Sequence, residues 1–315
     1  MISGLPFDDI RNLVRDLPGP EGLTETQAQA VSLHFEEVAG SLGAAAALAQ
    51  WLAAWTGRPP RVTRPVVALF AGTHGVAPLD ENASVRSLVE RCAAGGGAVN
   101  QACVAGDLGL KIFDLALDVP TGDIAREAAL DEKAAAATIA FGMEAIAGGT
   151  DLLVLSGHGG PGGSVSAAAV LAALHGIPAD DDRAAAAMRL HAGHLSDPLE
   201  VLRRLGGRET AALVGAILAA RMQKVAVVLD GEAALAAAAV VRALAPDGLA
   251  HCMVGDSGSQ LASAAAEVLG TEPILRLGMN TGDGAGGALA AGVVKAAALL
   301  HAGAADFLKA QKPAG

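Results

Sequence analysis

Short apolar runs recur along the chain, and most of them stop at a glycine or a polar residue before a longer alanine-rich segment begins. Pro65–Ala71, Leu110–Leu115, Asp151–Leu155, Val225–Asp230, His251–Val254 and Ile274–Leu277 are the strand candidates. They are rich in Val, Leu and Ile and do not alternate with polar residues, so both faces of each are expected to be buried. Continuous apolar strands alternating with helical segments predict a doubly wound α/β domain, a mostly parallel sheet with helices on both sides. The first sixty residues read instead as helices, among them Gln50-Trp-Leu-Ala-Ala-Trp55, which ends at Thr56-Gly-Arg-Pro-Pro60. Ala290 to Ala310 is again helical. The expected division is a small helical domain from residues 1–60 plus 290–315, beside an α/β domain over 61–289.

In such sheets ligands sit beyond the carboxyl ends of the strands. That rule selects Gly72–Gly75, Ser156–Ser164, Asp230–Glu232, Gly255–Ser259 and Gly278–Gly287 as loops converging on one site. The last is the most informative, because a short strand runs through glycine-rich backbone holding one carboxylate, Asp283, into a helix of small residues. Glycines there allow positive φ and close approach of a ligand, and the free N–H groups of the next helix favour an anion. The plainer alternative is a helix start capped by Asp283.

Gly157-His-Gly-Gly-Pro-Gly162 matches the GxGxxG pattern of dinucleotide sites. No second strand ending in an acid follows at the expected distance, because Ile177 to Leu190 is polar, Ala-rich and strandless. A loop offering backbone N–H groups to a phosphate fits better than NAD. His74, after a buried strand, and Asp230, at a strand's carboxyl end, are further ligand-contact candidates. His191 and His194 share a helical face without further metal ligands nearby and read as surface histidines, and no metal or cofactor is expected.

Composition narrows the function classes. Of 315 residues 52% are apolar, mostly alanine, with 3% aromatics and no Tyr, so a large core is assured and rings for base stacking are scarce. A net charge of -11 also argues against nucleic acid as a partner. Neither a secretory leader nor a membrane-spanning run is read from the sequence, and the chain is expected to be cytoplasmic. Cys92, Cys103 and Cys252 lack metal or redox spacing and read as reduced core thiols.

Ordered motifs then run nearly end to end. They are Gly40-Ser-Leu-Gly43, Phe70-Ala-Gly-Thr-His-Gly-Val76, Ala94-Gly-Gly-Gly-Ala-Val-Asn100, Asp107-Leu-Gly-Leu-Lys-Ile-Phe-Asp-Leu115, Phe141-Gly-Met-Glu-Ala-Ile-Ala-Gly148, Leu205-Gly-Gly-Arg-Glu209 and Leu277-Gly-Met279. In these the chain resembles the nicotinate-nucleotide:dimethylbenzimidazole phosphoribosyltransferases of cobalamin lower-ligand assembly. The resemblance implies a doubly wound α/β fold, a homodimer, and a site at the strand ends. The implied reaction is displacement of nicotinate from nicotinate mononucleotide by a benzimidazole-type base, giving an α-ribotide phosphate.

The family's catalytic glutamate falls on Asp283, which the resemblance makes the base. The acceptor nitrogen becomes cationic as its C–N bond forms unless the proton on the other ring nitrogen leaves, and a carboxylate can take it. Asp is one methylene shorter than Glu, a setback of about 1.5 Å. The family's G-E-M-G-I-G-N-T-T loop is replaced by Ser156–Ser164, which keeps a glycine at Gly159 and a hydroxyl at Ser164. In the base pocket Ser87 and Leu88 stand where the family has glutamine and methionine. Backbone N–H groups from Gly157 to Ser164 and from Gly255 to Ser259, Ser257 and Gly258 among them, would hold the phosphate, Asp230 would lie near the ribose, and Leu277 and Met279 would flank the site. A competing reading is a non-catalytic or altered-specificity paralogue that binds a nucleotide or azole, or pairs with an active homologue.

Overall fold

The computed structural model describes residues 6–19, 42–256 and 258–311. Its centre is one six-stranded sheet, all parallel, in the order β2-β1-β3-β4-β5-β6. The strands are β1 (Pro65–Ala71), β2 (Gly109–Asp114), β3 (Leu152–His158), β4 (Ala226–Asp230), β5 (Cys252–Asp256) and β6 (Pro273–Leu275). The strand order reverses at β1, so the topological switch point lies between β1 and β3.

Side chains alternate across a strand, and here the alternation sorts the core into two halves. Ala68 and Phe70 of β1, Leu153 and Leu155 of β3, and Val227 and Leu229 of β4 enter one cluster. Val67 and Leu69, Leu152 and Val154, and Ala226 and Val228 enter the other. The first half is roofed by α5 (Glu132–Gly142), α6 (Gly160–His175), α8 (Pro198–Leu205), α9 (Arg208–Met222), α10 (Glu232–Leu244) and α11 (Gln260–Val268). The second is roofed by α2 (Ala44–Thr56), α3 (Leu79–Ala93), α4 (Ala98–Gly106) and α12 (Ala285–Gln311). The fold is therefore the doubly wound α/β architecture that the apolar runs imply.

Several expectations need correction. The edge strands β2 and β6 are only partly buried, because each has a neighbour on one side only. α12 is a single helix that begins at Ala285, so the expected domain boundary at residue 290 falls inside it. It packs on β3, β4 and β5 as well as on α2 and α4, which makes it part of the sheet's second layer. By length and composition α12 could cross a membrane, yet about half of that stretch is buried against the sheet. At the other end α1 (Pro6–Arg15) packs on α5, and its Arg11 holds Asp197 at 2.7 Å. His191, at the end of α7 (Asp182–His191), is buried with Nε2 3.0 Å from the Ile124 carbonyl, whereas His194 is exposed.

Candidate active site

The carboxyl ends of β3 to β6 surround a cavity of about 210 Å³. Its wall is built from Ser156 to Gly160, Gly163 and Ser164, from Asp230 to Ala233, from Gly258 and Ser259, and from Met279 to Gly282. A wider groove of about 830 Å³ shares Ser164, Glu232 and Ser259 with it and runs out over Ile177, Pro178, Arg183 and Leu261. α6, α10 and α11 all begin on the cavity wall, with Gly159, Gly231 and Ser259 as their N-caps. Three helix N-termini aimed at one space give it donor N–H groups and positive dipole ends, the environment an anion requires.

Asp283 sits directly beneath this wall. Its side chain is 1% exposed and does not itself line the cavity. Oδ1 accepts hydrogen bonds from Thr281 Oγ1 at 2.6 Å and Ala285 N at 3.2 Å, and Oδ2 accepts one from Val99 N at 3.0 Å. The carboxylate thus joins the starts of α12 and α4, with Gly282 and Gly284 on either side at φ 70° and 91°. Only glycine takes that left-handed backbone without strain, which is why the loop can fold back over its own acid.

Asp256 fixes the same loop from the other side, accepting from Leu277 N at 2.7 Å and Met279 N at 2.6 Å. Asp230 lies on the cavity wall beside it. Burial, and then the negative charge of Asp256, push the Asp230 carboxyl up to about 7.

At the switch point the arrangement differs. His74 Nε2 lies 2.8 Å from Glu209 Oε1, and both side chains are fully buried. Burial opposes the Glu209 carboxylate, but the charge and hydrogen bond of His74 outweigh it and hold its pKa below the usual range. The pair fits because glycines enclose it. A Cβ on Gly207 would come within 2.4 Å of Glu209 Oε2, and one on Gly159 within 2.6 Å of His74 Nε2.

Of the residues singled out from the sequence, Gly157, Gly159, Ser164, Asp230, Gly258 and Met279 line the cavity. Ser257 lies outside the described residues, as do Gly40 and Ser41. Four others are not brought to the wall. His74 turns inward to Glu209 and acts from behind the glycine loop. Ser87 is exposed on α3, its hydroxyl on the Ala83 carbonyl, while Leu88 packs into the core under the sheet. Glu81, Ser84 and Val85 are the α3 residues that approach Gly160; Ser87 lies on the opposite side of the helix from Val85, and Leu88 sits one turn further along the same face. Leu277 is 60% exposed, because Asp256 fastens its backbone and leaves the side chain outside.

The same loops bring further side chains that the sequence did not single out. His158, Glu232, Ser259, Asn280 and Thr281 line the cavity, and Glu209 backs it. His158 stands inside the GxGxxG match, which draws attention to backbone rather than to its imidazole.

A family model described as phosphoribosyltransferase matches residues 18–311. The nicotinate-nucleotide–dimethylbenzimidazole phosphoribosyltransferase of Rhizobium etli (strain CIAT 652) is 52% identical over 332 aligned positions, covering 98% of each chain. The protein of the same name from Sinorhizobium fredii (strain NBRC 101917 / NGR234) is 53% identical, over 98% of this chain and 97% of that one. Among solved structures, the nicotinate-nucleotide–dimethylbenzimidazole phosphoribosyltransferase of Thermus thermophilus superposes with a TM-score of 0.76. It is 27% identical, with 88% of this chain and 96% of that chain covered.

Proposed function

The chain belongs to the nicotinate-nucleotide–dimethylbenzimidazole phosphoribosyltransferase family, and on that footing we propose how its strand-end cavity carries out phosphoribosyl transfer. The enzyme moves the phosphoribosyl group of nicotinate mononucleotide to a benzimidazole-type base, releasing nicotinate and forming an α-ribotide phosphate. The observation that carries the assignment of the site is the meeting of three helix N-termini around a polar cavity directly above a buried carboxylate. The nucleotide phosphate takes the N–H groups at the starts of α6 and α11, with the Ser164 hydroxyl beside them. Asp230 faces the ribose.

Chemically the donor needs little help to depart. The pyridinium nitrogen takes the electron pair of its bond to the anomeric carbon and leaves as neutral-ring nicotinate. The acceptor is the harder half, because attack by one ring nitrogen makes the ring cationic until the proton on the other is removed. Asp283 is the negative charge that drives this removal. It acts through a loop that it also holds in place, which gives the shorter side chain a structural reason to be here.

The protomers pair through the face formed by α4 and α12, where Val293 and Leu299 are exposed apolar residues lining a shallow groove. The enzyme works in the cytoplasm. Incubation with nicotinate mononucleotide and dimethylbenzimidazole, followed by chromatography for free nicotinate and the ribotide, tests the activity. Release of no nicotinate by a folded protein whose thermal transition neither ligand moves would favour the non-catalytic alternative.

A further inference from the structure

His158 closes β3 and stands on the cavity wall. Its ring stands against Gly282 by one edge, where a Cβ on that glycine would meet Nδ1 at 2.9 Å and Cε1 at 3.2 Å, and the backbone there favours the protonated ring. With the carbonyl as partner, Nδ1 carries the hydrogen, and Nε2 is left with a lone pair. Two buried carboxylates, Glu209 behind the glycine loop and Asp283 below the β6 loop, act on the same imidazole. Neither lines the cavity, and Asp283 already accepts hydrogen bonds at both oxygens.

Three residues on the wall carry ionisable side chains: His158, Asp230 and Glu232. Glu232 accepts the Ser259 hydroxyl. Asp230 lies beside Asp256 and close to the backbone of Gly286 and Gly287 at the start of α12. His158 alone among the three has carboxylates placed to stabilise a positive charge that it gains.

Resting on the transfer reaction above, we infer that His158 Nε2 takes the acceptor's proton, and that Asp283 and Glu209 balance the charge of the imidazolium formed. In the step, one acceptor nitrogen forms the bond to the anomeric carbon as the bond to nicotinate breaks toward the pyridine nitrogen. The N–H bond on the acceptor's other nitrogen gives its electron pair to the ring and its proton to Nε2. The imidazole thereby spans the distance that the shortened carboxylate at position 283 leaves open. Burial lowers the His158 pKa from its ordinary value, Glu209, Asp283 and the Gly282 hydrogen bond act to raise it, and Arg91 lowers it further, for a net decrease. The ring is therefore neutral near pH 7 and able to accept a proton.

The test compares two acceptors in the full-length enzyme. Dimethylbenzimidazole has a proton to lose, whereas its N-methylated form attacks through the free nitrogen and has none. H158Q should lower kcat on dimethylbenzimidazole by about 10²–10⁴-fold, the usual weight of general base catalysis. It should lose at least about tenfold less on the methylated acceptor, and the acid limb of the wild-type pH profile should disappear. Equal losses on both acceptors, including a complete loss from misfolding checked by circular dichroism, would reduce His158 to a structural part and overturn the inference. So would an unaltered rate on dimethylbenzimidazole, or an acceptor-selective loss in D230N instead. Wild-type enzyme that releases no nicotinate with either acceptor refutes the transfer reaction itself, which is a separate outcome.

Discussion

Two carboxylates flank the same imidazole, and they are buried equally well for opposite reasons. Glu209 is sealed on a histidine at the switch point, where glycines on three loops close around the pair. Asp283 has no cationic partner within hydrogen-bonding reach among the described residues and is held by one hydroxyl and two backbone N–H groups at the starts of two helices. The first arrangement gives the carboxylate a hydrogen-bonded partner and fills the crevice that usually receives a ligand in such sheets. The second leaves a net negative charge just under the cavity. Burial by itself therefore does not say what an acid does; what balances its charge does. The ligand space has moved one step along the sheet, over β3 to β6, because the switch point is occupied by the His74–Glu209 pair.

The largest effect should come from breaking that pair. Glu209→Ala leaves His74 buried without its partner and opens space under Gly159 and Gly207, and removing one member of a buried pair costs about 3–5 kcal/mol. Urea denaturation at pH 7 measures it. A cost below about 1 kcal/mol would mean that the glycine loop is held by its backbone and that the contrast between the two sides is false.

Asp283 should respond in activity more than in stability. Asp283→Asn keeps the shape but removes the charge, and turnover should fall on the order of a hundredfold while the thermal transition moves by only a few degrees. Asp283→Glu sharpens the point. Its added methylene pushes the oxygens about 1.5 Å past the Val99 and Ala285 N–H groups, so it should lower turnover too, despite placing there the glutamate that the resemblance implies. Higher turnover in that variant would show that reach, not loop anchoring, limits the site.

Much of this was legible before any coordinates. β1 runs over the same seven residues as its apolar pattern, since a central strand must be apolar on both faces. The cavity loops followed from the rule about strand ends, and Asp283 stood out because glycine surrounds it. Other features depend on relations that a linear pattern does not carry. Nothing in the small-residue run from Ala285 onward marks a domain boundary, so one helix crosses the expected division. The rotation of α3 about its axis decides that Val85 faces Gly160 while Ser87 faces solvent. Glu209 pairs with a histidine 135 positions away, and no local signal connects the two.

The effect that best separates the two sides concerns Asp230. Its folded pKa of about 7 lies above the ordinary carboxylate value of 3.8, first because it is buried and then because Asp256 repels it. For an acid raised in this way the folded state binds the extra proton, so stability is greatest below the unfolded pKa. It declines as pH rises from about 4 to about 7 and is flat above that. Asp230→Asn has no charge to lose, so its thermal advantage over wild type should be near zero at pH 4 and grow to about 5–7 °C at pH 8. Its KM for the nucleotide relative to wild type should rise over the same range, because the amide cannot accept two ribose hydroxyls as the wild-type carboxylate can. Stability gained where function is lost is the signature of a charge kept for binding. The Glu209 side should show neither trend, because its pKa is held below the usual carboxylate range rather than raised. A pH-independent difference at Asp230 would place it with Glu209 as a structural acid and erase the distinction between the two ends of the cavity.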